Sequence, residues 1–378
     1  IAILSSMVLV TLVGAASIYA GKKDYLVSAA PHDYSVSGNK VDLTSTKKLM
    51  DDFLIKTGEQ ANEEVAVSYL FFGIKNQETN KLTVFTKNER KVVPKSIVLV
   101  FSQETFKQLT GKELNLSSNQ IALYTKNKTL KTQKSLSIDG KNYQIHRQLG
   151  DFINKKVPNI YKIIVSDYSY LVVPDIKIFE SSMKGTSIAQ ATYVGVNVKD
   201  PTHDAKKNLD LLDQIAGEAT KQLAGQTTGV PESYFSANSR YDAEGMVNGF
   251  VGGTFFIGIF LSIIFMLGTV LVIYYKQISE GYEDRERFVI LQKIGLDDLQ
   301  VKQTIRKQVL TVFFLPLIFA FIHLAFAYHM ISLIVRIIGV LNPDLMLVVT
   351  IIVCGVFFLA YVLVFVLTSR SYRRIVSM

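Results

Sequence analysis

The sequence predicts an α-helical membrane protein with four transmembrane helices and an inserted α+β extracellular domain. Three observations carry this expectation. Four apolar runs, 1–20, 249–275, 308–335 and 345–368, reach the roughly 20 residues with which an apolar helix crosses a bilayer. Between the first two lies a mixed stretch, 21–248, long enough to bury a core of its own. The segment between the second and third runs, 276–307, holds seven Lys/Arg and six Asp/Glu. Basic residues beside a span favour the cytoplasmic side, while acidic ones count for little.

The first run opens IAILSSMVLV and meets no basic residue before Lys22. A signal peptide would open on Met with a basic n-region, so the run reads as a transmembrane helix inside a longer protein. The tail 369–378 carries Arg370, Arg373 and Arg374 directly after the last run, which places it inside the cell. Counting back, 336–344 lies outside, 276–307 inside, 21–248 outside and the N-terminal end inside. Both ends of the chain are then cytoplasmic, in a multi-pass protein of the cytoplasmic membrane.

The formal charge of +9 divides into +5 for 21–248 (30 Lys/Arg less 25 Asp/Glu) and +4 for the remainder. Neither part has the concentrated basic stripe of a nucleic-acid protein. The one cysteine, Cys354, lies in the last run, so 21–248 is held by packing without an intrachain disulfide. Helices are expected there at 43–56, 102–109 with Ser102 as N-cap, 175–183 and 203–223. Strands are expected at 65–74, 82–86, 96–101, 120–125, 161–165, 170–173 and 192–198. Asp139-Gly140 between two alternating segments reads as a two-residue hairpin turn. The irregular mixture of strands and helices favours α+β over a doubly wound sheet.

The segment 276–307, KQISEGYEDRERFVILQKIGLDDLQVKQTIRK, is too long for a plain turn. At 100° per residue, Phe288, Ile290, Leu291 and Ile294 share an arc of roughly 160°, with Arg285, Gln292 and Lys293 opposite. Arg287 interrupts the apolar side and Val289 the polar one. The pattern predicts a short amphipathic cytoplasmic helix that Gly295 ends, with a new helix starting at LDD. Such a helix lies on the membrane surface or docks on a partner.

Enzyme motifs are missing. No GxxxxGK[ST], HExxH or paired CxxC occurs, so ATP is not bound through a P-loop in this chain. The adjacent acids Asp51-Asp52 and Glu63-Glu64 read as solvated faces. His323 reads as a bond to a neighbouring helix, with a functional role as the alternative. Gly249 with Gly253, and Gly258 with Ser262, stand four apart, which suits close helix contact, the alternative being that glycine is simply common in membrane helices. Pro316 predicts a kink or a break in the third span.

One span, a large outer domain and three further spans, with an amphipathic cytoplasmic helix and a glycine after the second span, resemble the FtsX/MacB-like permeases of ABC transporters. Residues 285–296, RERFVILQKIGL, are similar to that family's REIGILRALGA motif, with Gly295 matching its glycine. The family's Arg-Glu pair falls on Glu286-Arg287, in swapped order. The longer string ISEGYEDRERFVILQKIG, then Gln308, Pro316 and His323, is more similar to the antimicrobial-peptide resistance branch, the bacitracin-type (BceB-like) permeases of Gram-positive bacteria. PHDYSVSG at 31–38 fits the same branch. The resemblance covers both ends of the chain well and the middle of the outer domain poorly. Members of that branch have ten spans, which implies that this chain is the C-terminal portion, from the seventh.

The resemblance implies a permease subunit with no catalysis and no cofactor of its own. A cytoplasmic ABC ATPase subunit, carrying ATP and Mg, would bind 276–307 through Tyr282, Glu283, Asp284, Arg285, Glu286, Arg287, Phe288, Leu291 and Gly295. The spans would pass its motion to 21–248, which would act on a peptide antibiotic or its complex with a lipid-linked wall precursor. A membrane histidine kinase would be a further partner. A cell-division permease acting on a wall hydrolase, a lipoprotein-extracting permease and a passively anchored sensor stay open as alternatives.

Overall fold

The structure, a computed structural model, describes residues 1–89, 94, 96–158, 165, 167–201, 203–224, 231–293, 298–337 and 342–376. It divides into two units, Ile1–Asp24 with Asn248–Met378, and Tyr25–Val247.

In the unit Tyr25–Val247 the helices start where short polar side chains satisfy free backbone donors. Asp42 accepts from Ser45 N at 2.8 Å to open α2, Leu43–Thr57. Ser102 does the same for Thr105 N at 3.0 Å at the head of α3, Gln103–Thr110. One turn, α4, spans Lys128–Lys131 behind Asn127. Asp175 caps α5, Ile176–Ser182, and α6 is Ala205–Ala224. The ten strands are β1 Tyr34–Asn39, β2 Ala61–Glu78, β3 Lys81–Val84, β4 Ser96–Ser102, β5 Gln120–Thr125, β6 Ser135–Ile138, β7 Lys141–Gln148, β8 Asp167–Val173, β9 Ile188–Val198 and β10 Tyr234–Ser239. Asp139 and Gly140 both have positive φ, +47° and +80°, and join β6 to β7 in the expected hairpin.

The sheet order is β10-β1-β9-β2-β3-β6-β7-β5-β8-β4, and β4 also pairs β2. Ile74 faces Val84 of β3 and Ser96 of β4 together, so these strands lie on opposite edges of β2. The pairing therefore closes into a seven-stranded ring. Inside it pack Phe72, Ile74, Leu82, Val100, Leu123, Leu136 and Leu171, with Phe179 of α5 and Leu130 of α4. Burying each such side chain contributes about 1.5–3 kcal/mol. The remaining strands, β9, β1 and β10, continue from the β2 edge and carry a second core. There Tyr34, Val36 and Val196 meet Phe53 of α2 and Leu212 and Ile215 of α6.

Several expectations need correction. The strand expected at 65–74 runs through Ala61–Glu78, because its polar ends are held by β9 and β3 rather than by apolar alternation. No strand was expected at β1 or β10, which are short and largely polar and exist through pairing with each other and with β9. Residues 161–164 of the strand expected at 161–165 lie outside the described residues.

The other unit contains four helices long and apolar enough to cross a membrane. Helix α1 is Ala2–Ala29, α7 is Arg240–Lys293, α8 is Asp298–Ile337 and α9 is Pro343–Val376. The first passes the end of its apolar run at residue 20, since GKKDYLVSA contains no helix breaker after its leading glycine. Between α1 and α7, Thr11 Oγ1 and Ser262 Oγ lie 2.7 Å apart, and a side chain on Gly258 would collide with Ala15. Of the two small-residue pairs, Gly258 and Ser262 thus make the close contact. A Cβ on Gly249 or Gly253 would meet nothing within 4 Å among the described residues. His323 Nδ1 meets Ser6 Oγ at 3.0 Å, a bond from α8 to α1. Pro316 does not break α8, which continues through it. Proline cannot donate to the carbonyl four residues back, and Tyr361 of α9 donates to the adjacent Phe313 carbonyl at 2.9 Å.

Candidate functional site

Two places concentrate the chemistry, one where the chain enters and leaves the β-rich unit and one at the far end of α7. At the first, Pro31-His32-Asp33 leads from α1 into β1, and Arg240 leads from β10 into α7. Because β1 pairs β10 with Tyr34 opposite Ser239, these two passages are neighbours although about 200 residues apart. Asp33 organises both. Its Oδ1 accepts from Arg240 Nη1 at 3.1 Å and its Oδ2 from Val198 N at 3.0 Å. Its backbone N donates to Asn197 Oδ1 at 3.1 Å, and its carbonyl accepts from Arg240 N at 3.0 Å. Arg240 Nε donates to the Ala30 carbonyl at 3.2 Å, and Asn197 Nδ2 to Glu63 Oε2 at 3.0 Å. A single carboxylate joins the exit of α1, the entry of α7 and the end of β9.

Beside it, His32 is buried, with Nδ1 2.8 Å from Tyr193 Oη. Burial holds its pKa down to about 4; the nearby Arg240 charge pushes the same way, against Glu63 and Asp33. Burial pushes the Tyr193 phenol well above its usual value. The pocket for the imidazole exists because β9 has Gly195 here: a Cβ would lie 2.5 Å from both His32 Nδ1 and Tyr193 Oη. Among the described residues no group of three His, Cys, Asp or Glu is placed to hold a metal ion.

At the second place, α7 continues as one helix from its apolar stretch to Lys293. The expected separate short helix is therefore a correction: 276–293 is the end of a 54-residue helix. EGYEDRERF contains no residue that stops a helix except an interior glycine, which helices tolerate at about 1 kcal/mol. Lys276 and Glu280 form an i,i+4 pair at 3.6 Å. Tyr282 is 59% exposed and Ile290 57% exposed, and Glu283, Arg285 and Glu286 are also exposed. For Asp284, Arg287, Phe288 and Leu291 the backbone alone is described, and it is helical. Gly295 lies outside the described residues, and the next helix starts at Asp298. One turn before Tyr282's group, Gln277 is buried, with no partner for either amide atom among the described residues.

Arg240, Asn197 and Gly195 were absent from the residues singled out in the sequence. PHDYSVSG marked the stretch, yet Asp33's partner is 207 positions away, and no local pattern points to it.

An α-helical chain with four helices able to cross a membrane and an inserted β-rich domain is the class this architecture defines. Three relatives from Bacillus subtilis (strain 168) narrow it. The chain is 36% identical over 72 residues to the ABC transporter permease protein YxdM, covering 19% of this chain and 12% of that protein. It is 30% identical over 121 residues to the uncharacterized ABC transporter permease YvcS, covering 32% and 18%. To the bacitracin export permease protein BceB it is 29% identical over 140 residues, covering 37% and 19%. The matches span less than a fifth of those relatives. No protein-family model matches. All three relatives are permease proteins, and two of them are permeases of ABC transporters.

Proposed function

We propose that this chain is the permease part of an ABC transporter handling antimicrobial peptides of the bacitracin or lantibiotic kind, giving resistance to them and a sensing signal. The observation carrying the reading is α7. It leaves the β-rich unit at Arg240, passes through a stretch able to cross a membrane and ends on an exposed helical segment bearing Tyr282, Arg285, Glu286 and Ile290. A helix in this form suits a device driven from one end. The similarity to a bacitracin export permease supports the substrate class.

In this reading an ATPase subunit, holding ATP and Mg, docks on 276–307 from the cytoplasm, with Tyr282 to Phe288, Leu291 and Gly295 as contacts. Its closure moves α7, and the outer unit answers by acting on the peptide or its lipid-linked precursor complex. A membrane histidine kinase reads the same motion. The chain supplies binding surface and mechanical continuity, and the partner supplies hydrolysis.

The test is a deletion strain complemented with wild type or with Arg285 and Arg287 both reversed to Glu. Wild type should restore growth on the peptides and co-purify an ATPase. The double variant should lose both while the outer unit keeps its protease resistance. Unchanged peptide sensitivity on deletion, together with a defect in wall separation or lipoprotein release, would transfer the chain to the cell-division or lipoprotein branch.

A further inference from the structure

We propose that the Asp33–Arg240 pair is a coupling joint that makes the ends of α1 and α7 move with β9 as one body. The inference rests on the permease reading above and deepens it by naming where motion enters the outer unit. The geometry is specific. Both helices pass into the β-rich unit here, each continuing directly into or out of an edge-region strand, β1 or β10. Asp33 uses both carboxylate oxygens, one on the α7 side through Arg240 Nη1 and one on Val198 N of β9. Arg240 in turn binds the Ala30 carbonyl just past α1, so the guanidinium spans both helix ends. Asn197 extends the tie to Glu63 of β2. The strand β9 lies between β1 and β2, at the step from the three-stranded extension to the closed ring. Displacement of either helix end is thus delivered to the strand through which the extension joins the ring at β2.

Asp33 has a 9% exposed side chain and Arg240 a 32% exposed one. Arg240 keeps one side in water, and the Asp33 carboxylate still accepts from Val198 N, so neutral substitution of either partner breaks the ion pair without leaving a fully buried, unbonded charge. A joint of this kind carries force through directional bonds on several segments at once, which a surface ion pair does not.

The experiment uses the full-length protein with its ATPase in membranes, on a Cys354→Ala background. Spin labels go on cysteines placed at the exposed positions Lys131 and Leu271. In wild type, trapping the ATP-bound state should shift the distance between the labels. Asp33→Asn and Arg240→Gln should abolish that shift and lower peptide resistance by about tenfold, while protein level, trypsin resistance of the outer unit and ATPase co-purification stay at wild-type values. The exchange Asp33→Arg with Arg240→Asp should recover part of the shift. A wild-type shift in both single variants would overturn the proposal. So would loss of trypsin resistance in both, which would make the pair a determinant of folding alone. Failure of the permease reading is seen separately, as a wild type that neither binds an ATPase nor responds to nucleotide.

Discussion

His32 Nδ1 and Tyr193 Oη meet at 2.8 Å under a strand whose Gly195 leaves room for them. The contact sets a pH dependence with a definite sign. The folded state holds His32 at about 4 against 6.5 for the free side chain, so the unfolded chain takes up a proton first. Stability from this group is fully present above pH 6.5 and is lost as the pH falls from about 6.5 to about 4, by on the order of 3 kcal/mol. Thermal melts of the purified protein across that window should show the fall, and His32→Asn should flatten it. A parallel slope in the variant would remove His32 as the cause.

Gly195→Ala places a methyl 2.5 Å from the imidazole and the phenol. Overpacking of this order costs about 1–3 kcal/mol. The apparent melting temperature of the β-rich unit should drop and trypsin should cut it faster. A melt indistinguishable from wild type would mean that the imidazole moves aside freely.

In the helical unit, Gly258→Val should push Ala15 away and separate α1 from α7, at a cost of about 1–3 kcal/mol. Gly253→Val, which has nothing within reach, is the control. Cross-linking between cysteines at Thr11 and Ser262 should fall in the first variant and persist in the second.

Tyr361→Phe removes the hydroxyl that donates to the Phe313 carbonyl, next to the Val312 carbonyl that Pro316 leaves without its helical donor. Loss of one buried hydrogen bond costs about 0.5–1.5 kcal/mol. Detergent melts should report a modest loss, and Pro316→Ala should leave the tyrosine bond in place with little change.

Much of the architecture was legible because its causes are local. A long apolar run forms a span wherever it occurs, and Asp42, Ser102 and Asp175 cap helices with their own side chains. Asp139-Gly140 turns a hairpin through its own φ angles. The candidate coupling residues were legible only as a pattern of charge and apolar spacing between two such runs. That spacing suggested a short helix, while the absence of a breaker between Tyr275 and Lys293 let α7 run on.

By itself, then, the sequence determined where the chain can cross a membrane, most of its helix starts and the polar segment between the second and third spans, all set within a few residues' reach. Only the tertiary structure decided that β2 closes a seven-stranded ring, that β1 and β10 exist, and that Asp33 faces Arg240. Those depend on hydrogen bonds and ion pairs between segments up to 207 positions apart, where no periodicity along the chain records which partner will be met.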